Sequence, residues 1–403
     1  MEGREAARPC LGCLNPLCQT GCPVGNRIRD FVQETKKGDL EKAASILYEV
    51  NPFPEFTSAL CDHERQCKGR CIRGVKGEPV EVPTVEAFLS ANFKRDLTKK
   101  PANGHRIALI GAGIANLSAA FFLSKKGFEV DVYEKDKAIG GAIRTGIPGF
   151  RFDKTLLANV QGDLEALGVH FFFGKEVGKD LPLNQFWNGY ESVLLSVGAQ
   201  KNNMPPFTAS KGLLSGLELL RKANLEQESF PSYRKCLVWG GGNVAMDCAR
   251  TLTRLGKDVT VVYRRSSKEM PANANEVEEA IKEGVRFAFL TNVKDIIKNE
   301  KDEVVGAITV AMELGEKDAS GRASFHEIAD SFTELPCDLL VSAIGQKADL
   351  SSFGLEIQKG EGHGCNIPKL FLAGDCRLGP KNIAACIKDG REAAFEIIHS
   401  LMD

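Results

Sequence analysis

No stretch of this 403-residue chain approaches the roughly 18 consecutive apolar residues that a membrane helix needs. A membrane span is therefore not expected. Charge of one sign is also missing: 52 Lys and Arg face 53 Asp and Glu, with no long basic run. That balance argues against a nucleic-acid-binding body. The N-terminus holds charges and cysteines where a secretory signal would hold an apolar core, so a cytoplasmic location is the default expectation. There is no repeat at solenoid period and no low-complexity tract. No Ser-His-Asp or paired-carboxylate arrangement stands out, so no catalytic side chain is assigned. Cysteine is absent from residue 72 to residue 235.

What is present is concentrated. Seven of the 13 cysteines fall within the first 71 residues. Cys10, Cys13, Cys18 and Cys22 are spaced x2, x4 and x3, with Pro23 next; Cys61, Cys67 and Cys71 are spaced x5 and x3. Away from oxidising compartments, clustered cysteines bind metals or carry redox chemistry more often than they form disulfides. Thiolates at such spacings can wrap a soft metal centre. Zinc favours paired C-x2-C hooks, and only Cys10 and Cys13 form one. A four-cysteine run ending in Cys-Pro resembles the bacterial ferredoxin run, whose last cysteine serves the other iron–sulfur cluster. On that logic Cys22 joins Cys61, Cys67 and Cys71. Cys10, Cys13 and Cys18 then lack a fourth ligand, for which Glu86 is a candidate. Zinc and structural thiols remain the alternative readings. His63 is assigned to a solvent-facing loop.

Between and after the knots, apolar residues recur at helical spacing over Ile28–Thr35, Leu40–Tyr48 (with Asp39 as N-cap) and Val80–Phe93. Residues 94–105 read as a linker. Arg106–Glu134 is a strand–turn–helix–strand pattern with Gly111 and Gly113 in the turn and Glu134 about 20 residues on. Such glycines let a pyrophosphate approach a helix N-terminus, and the acid suits a ribose hydroxyl. The third motif position is Asn116 rather than Gly or Ala. Gly140 and Gly141 would allow a second close approach. Lys235–Arg265 repeats the pattern with Gly240, Gly242, Asn243, Val244 and Ala245. It ends in Arg264 and Arg265, which suit a 2′-phosphate and so favour NADPH over NADH. Val304–Met312 and Phe325–Asp330 read as a small β element. Strands follow at Leu339–Ile344 and Leu370–Ala373, and a helix from Ile383 to Met402. No C-x-x-C lies in the second nucleotide unit and no C-x4-C follows the first, so the dithiol of disulfide reductases is missing. Cys236, Cys248, Cys337, Cys376 and Cys386 read as packing residues. Glu269 and Glu276 fit either a nicotinamide site or an exposed helix surface.

These motifs together resemble the family of the small subunit of NADPH-dependent glutamate synthase, which is also similar to the N-terminal half of dihydropyrimidine dehydrogenase. The resemblance rests on Cys10-Leu11-Gly12-Cys13, Gly21-Cys22-Pro23, Tyr133-Glu134-Lys135, Gly240 to Asp247, Val262 to Arg265 with Glu269-Met270-Pro271-Ala272, and Ala373-Gly374-Asp375. It implies an α/β architecture: a helical two-cluster iron–sulfur domain (1–100), then two Rossmann-like domains. The NAD(P)H domain (201–335) would be inserted into the FAD domain (101–200 and 336–403). It implies FAD held by Gly111, Gly113, Ala115, Asn116, Glu134, Lys135, Gly141, Gly374 and Asp375, and two 4Fe-4S clusters. It places a non-cysteine ligand near Glu86. The expected activity is oxidation of NADPH through FAD and the clusters toward a catalytic partner subunit. The alternatives are a self-contained reductase of a small acceptor and a zinc-stabilised nucleotide-binding module.

Overall fold

A computed structural model describes residues 3–317 and 323–402. The chain forms two compact units. One comprises Met1–Arg144, Phe150–Ala199 and Ala348–Asp403; the other comprises Thr145–Gly149 and Gln200–Lys347. The cysteine-rich segment therefore belongs to the same unit as the first glycine turn.

That segment is helical. Ile28–Lys37 buries Ile28, Phe31, Val32 and Thr35, a stripe at helical spacing. It stops at Gly38, whose φ of 94° a side chain would resist. Asp39 caps Leu40–Tyr48 by accepting from the Lys42 amide at 3.3 Å. Pro54 opens Pro54–Leu60, where its missing N–H costs nothing. Val82–Asn92 completes the set, burying Val82, Val85, Glu86 and Leu89. Phe31, Leu47, Val85 and Leu89 are fully enclosed, each contributing about 1.5–3 kcal/mol of burial.

The same unit holds a parallel five-stranded sheet in the order Leu370–Leu372, Ser192–Leu195, Arg106–Ile110, Glu129–Glu134, Val169–Phe173. The helix Ile114–Lys125 is buried from Ile114 through Ser124. It lies under the C-terminal helix Ile383–Met402, and the two backbones meet at Gly390, where a Cβ would sit 1.9 Å from the Ala115 carbonyl oxygen.

The second unit has its own parallel sheet, in the order Leu213–Ser215, Leu339–Ser342, Lys235–Trp239, Asp258–Tyr263, Arg286–Phe289. An antiparallel sheet of Thr291–Lys298, Val304–Lys317 and Ala323–Pro336 adjoins it. The small β element is thus larger than the sequence suggested: both predicted strands run to 14 residues. Among the described residues no helix is long and apolar enough to cross a membrane.

Candidate functional site

The thiols fall into two groups, and the division differs from the expected one. Cys10, Cys13, Cys18 and Cys71 line a single cavity of about 90 Å³. Burial, then Cys71, then Cys10 push the Cys18 thiol up to about 11. Cys22, Cys61 and Cys67 lie against Glu86 instead: burial first, and then the Glu86 carboxylate, raise all three. Cys71 and Glu86 have exchanged places relative to the spacing argument. The cause is local. Cys67 points inward at 5% exposure, while the turn closed by the Cys71 amide on the Lys68 carbonyl carries Cys71 back outward. Cys71 then caps the short helical turn Ile72–Val75 in an extended conformation. Glu86, on the buried face of its helix, accepts from Asn26 Nδ2 at 2.8 Å and Thr57 Oγ1 at 3.0 Å. Those residues neighbour Cys22 and Cys61 in the chain. Burial pushes Glu86 up to about 7, with the Thr57 and Asn26 hydrogen bonds pulling the other way.

Buried thiols raised in this way are inert unless a cation takes the proton's place. Zinc would draw four sulfurs to within about 3.8 Å of one another, given tetrahedral bonds of about 2.3 Å. Among the described residues the one trio of His, Cys, Asp or Glu ligand atoms all within 4.8 Å is His363, Asp389 and Glu392. No three of the cysteine sulfurs approach so closely, and the donor sets suit a wider centre. His63 is not in a solvent-facing loop. Its Nδ1 lies 3.5 Å from Cys67 Sγ and its Nε2 3.1 Å from the Ser58 carbonyl. Arg391, unmarked in the sequence, is buried and donates to the carbonyls of Val50 and Val24.

At the first turn, Gly111 has φ 95°, and a Cβ there would lie 2.6 Å from the Ser196 carbonyl oxygen. Gly113 caps the Ile114–Lys125 helix, and a Cβ there would meet nothing within 4 Å. That open face at a helix N-terminus is the space a pyrophosphate needs. A Cβ on Gly141 would come within 3.1 Å of the Gly113 Cα, closing one side. Glu134 first braces the turn, its carboxylate accepting from the amides of Ala112 at 2.6 Å and Asp136 at 2.8 Å. Each oxygen keeps a lone pair for a ribose hydroxyl. Asn116 braces the turn from within. It is wholly buried, and its Nδ2 donates to the carbonyls of Ile110 and Gly111 at 2.9 and 2.7 Å. Ala115 is likewise buried beneath the turn, whereas Lys135 is exposed.

The late turn is held from below. The Gly374 amide donates to Asp389 Oδ2 at 2.6 Å. Asp389 also takes Arg377 and, at 3.1 Å, His363 Nε2; His363 Nδ1 meets Glu396 at 2.7 Å. Burial disfavours the His363 cation, but the Asp389 and Glu396 hydrogen bonds outweigh it and raise its pKa. Asp375 is half-buried, raised by that burial, and accepts from the Lys381 amide at 3.0 Å. Cys376 is a packing residue, its thiol directed at the carbonyls of Leu195 and Ala373.

In the second unit, Gly240 has φ 147° and a Cβ there would lie 2.3 Å from the Ala343 carbonyl oxygen. Gly242 caps the helix Asn243–Arg254 and again faces open space. Asn243 is exposed and fixes the following loop, accepting from the Asn273 amide at 2.8 Å; Val244 is half-buried. The two arginines part company. Arg264 is exposed, 4.2 Å above the Phe325 ring. Arg265 is buried and donates to the Ala323 carbonyl at 2.8 Å, so it serves the sheet rather than an open phosphate site. Glu269 closes a capping box with Ser266, and Glu276 pairs with Arg250; both are structural.

The pyridine nucleotide-disulphide oxidoreductase family model matches residues 105–390. The model of dihydropyrimidine dehydrogenase domain II, 4Fe-4S cluster, matches residues 1–97. The glutamate synthase (NADPH) small chain of Escherichia coli (strain K12) is 30% identical over 99% of this chain and 92% of its own. The NADP(+)-dependent formate dehydrogenase subunit beta of Moorella thermoacetica is 30% identical over 98% of this chain. The chain spans less than two thirds of that relative (62%) and of AegA from E. coli K12 (65%). Among solved structures, Mycobacterium tuberculosis FprA in complex with NADPH superposes with a TM-score of 0.65 at 21% identity. It covers 75% of this chain and 85% of FprA, and is a likeness of fold.

Proposed function

The chain belongs to the pyridine nucleotide-disulphide oxidoreductase family, with a 4Fe-4S domain of the dihydropyrimidine dehydrogenase type in front, and from that premise we propose that it is the NADPH-oxidising, electron-transfer subunit of a larger oxidoreductase. The observation that carries this reading is the thiol arrangement. Two donor groups, one around a single cavity and one against Glu86, share one compact unit with the Gly111 turn.

Cys10, Cys13, Cys18 and Cys71 would hold one 4Fe-4S cluster; Cys22, Cys61, Cys67 and Glu86 would hold the other. Gly113 would admit the FAD pyrophosphate, Glu134 its ribose, and Asp375 the far end of the cofactor. Gly242 and Asn243 would seat the NADPH pyrophosphate, with Arg264 as the cation for the 2′-phosphate. When bound, FAD and the clusters supply the conversion of a hydride pair into single electrons. The chain's own residues position and insulate. Glu134 and Asn116 stiffen the first turn. Asp389 fixes the second. The buried thiols would bind the clusters as thiolates, their protons released to solvent. The names of the relatives, a small chain and a beta subunit, support a separate partner as the electron acceptor.

Anaerobic purification followed by iron, sulfide and flavin assay tests this. About eight irons, for two four-iron clusters, and one FAD are expected, with bleaching by NADPH ahead of NADH. A colourless zinc protein would overturn the reading.

A further inference from the structure

Five large apolar side chains stand in water on the two chain segments that supply Cys10, Cys13, Cys18 and Cys71. Leu14 is 91% exposed, Val75 76% and Leu11 65%; Leu17 and Ile72 are more than half exposed. They come from the two loops that supply the cysteines, and Leu11, Leu17 and Ile72 line the cavity itself. Isolated exposed leucines are ordinary, but exposed apolar side chains gathered at one cavity, as Leu11, Leu17 and Ile72 are, mark a contact surface.

The two cysteine loops are basic within themselves, although Arg27 and Arg29 are paired with Asp30 and Glu49. From Cys10 to Arg29 and from Arg65 to Gly77 the chain carries no acidic side chain. The second stretch alone has Arg65, Lys68, Arg70, Arg73 and Lys76. Lys68 is neutralised by Glu64 and Glu81 at 2.9 and 2.8 Å. Arg70, Arg73 and Lys76 have no ion-pair partner among the described residues. An apolar centre ringed by arginine is the composition of a protein interface. Unpaired cations at its rim steer an acidic partner and speed its encounter.

We propose that this face docks a protein acceptor of single electrons whose own contact surface is apolar at the centre and acidic at the rim. The proposal rests on the electron-transfer reading above and adds to it the exit face and the chemistry of what lands there. One NADPH would reduce two acceptor molecules by one electron each, releasing NADP+ and a proton.

The test uses the holoprotein under anaerobic conditions with two probe acceptors: plastocyanin, an acidic one-electron protein, and cytochrome c, a basic one. Arg70→Glu combined with Lys76→Glu reverses the rim; Leu14→Asp spoils the centre. Both alter exposed side chains, and stopped-flow bleaching of the flavin by NADPH checks that the rest of the protein is intact. At low ionic strength the charge reversal should slow plastocyanin reduction about tenfold and leave or improve that of cytochrome c. Added salt should erase the difference. Leu14→Asp should slow plastocyanin at high salt as well. Equal plastocyanin rates for wild type and the charge-reversed variant, with normal flavin bleaching, would overturn the proposal. So would a wild-type dimer in sedimentation that Leu14→Asp converts to monomer, since the face would then belong to a second copy. A protein that NADPH does not bleach at all instead fails the electron-transfer reading, and the proposal falls with it.

Discussion

Two glycine-to-alanine substitutions should have opposite consequences. Gly390→Ala lies inside the C-terminal helix, where propensity alone would make alanine more stable by about 1 kcal/mol. Its added Cβ, however, would sit 1.9 Å from the Ala115 carbonyl oxygen and 2.6 Å from the carbonyl carbon. The nearest contact is thus about 1.1 Å short of the 3.0 Å that real Cβ atoms keep. Both partners are backbone, so no rotamer relieves the clash. Overpacking then costs about 3 kcal/mol, the upper part of the usual range, leaving a net loss of about 2 kcal/mol. For a unit of this size that lowers the melting temperature by about 4–8 °C. Gly113→Ala meets no protein atom within 4 Å, and its φ of −76° suits alanine. Its folding cost is that of a poorer N-cap, about 1 kcal/mol at most. Its methyl would instead occupy the space assigned to the pyrophosphate. Losing one charge-assisted hydrogen bond there, about 1.5–3 kcal/mol, weakens FAD roughly 10- to 150-fold. Differential scanning of the apoprotein and flavin titration separate the two effects. A Gly113→Ala protein that holds FAD like the wild type would refute the turn as the pyrophosphate seat. A Gly390→Ala protein as stable as wild type would refute the backbone contact.

Cys71→Ser should remove one iron–sulfur centre and Cys61→Ser the other, each leaving about half the iron; loss of the same centre in both variants, seen by electron paramagnetic resonance, would restore the grouping suggested by spacing. Arg264→Ala should raise the KM for NADPH roughly tenfold or more, the scale of one charge-assisted contact, and leave that for NADH unchanged. Arg265→Ala should instead destabilise the antiparallel sheet by about 1–2 kcal/mol without changing the preference, as thermal melts and the two KM values would show. His363 has a raised pKa in the folded protein relative to its ordinary 6.5. Its contribution is therefore complete below about 6.5 and is lost as pH rises through the higher folded value. The stability difference between wild type and His363→Gln, measured by denaturant unfolding, should shrink across that window; a difference that grows with pH would contradict the clasp.

The glycine turns and the thiol runs were legible because each is a short motif read along a few residues. So were the helix stop at Gly38 and the cap at Asp39. The features that escaped depend on residues far apart in sequence. Cys71 and Glu86 trade places because of a turn over residues 62–71 whose path no spacing rule specifies. Arg265 is taken out of the cofactor site by Phe325 and by the carbonyl of Ala323, 58 residues away. His363 is held by Asp389 and Glu396, 26 and 33 residues on. Asn116 looked like a defect in the glycine motif. It is instead a brace for two strand-end carbonyls, a role visible only once the helix stands over the strand.

Three consecutive residues of the C-terminal helix show why the cysteine domain and the first nucleotide fold form one unit. Asp389 accepts from the amide of Gly374 and so sets the late turn. Gly390 lets the helix lie against Ala115, directly behind the first turn. Arg391 crosses into the cysteine domain and ties the carbonyls of Val24 and Val50, the former two residues from Cys22. A buried guanidinium bonded only to carbonyls is costly to enclose, and no aliphatic replacement could make both bonds. Its position is explained if registration matters: one turn of helix fixes both glycine turns and the Cys22 loop relative to one another. Transfer of single electrons falls steeply with distance, so a flavin site and a thiol site that drifted independently would conduct unevenly. The Asp389–Arg391 segment removes that freedom with backbone contacts and hydrogen bonds.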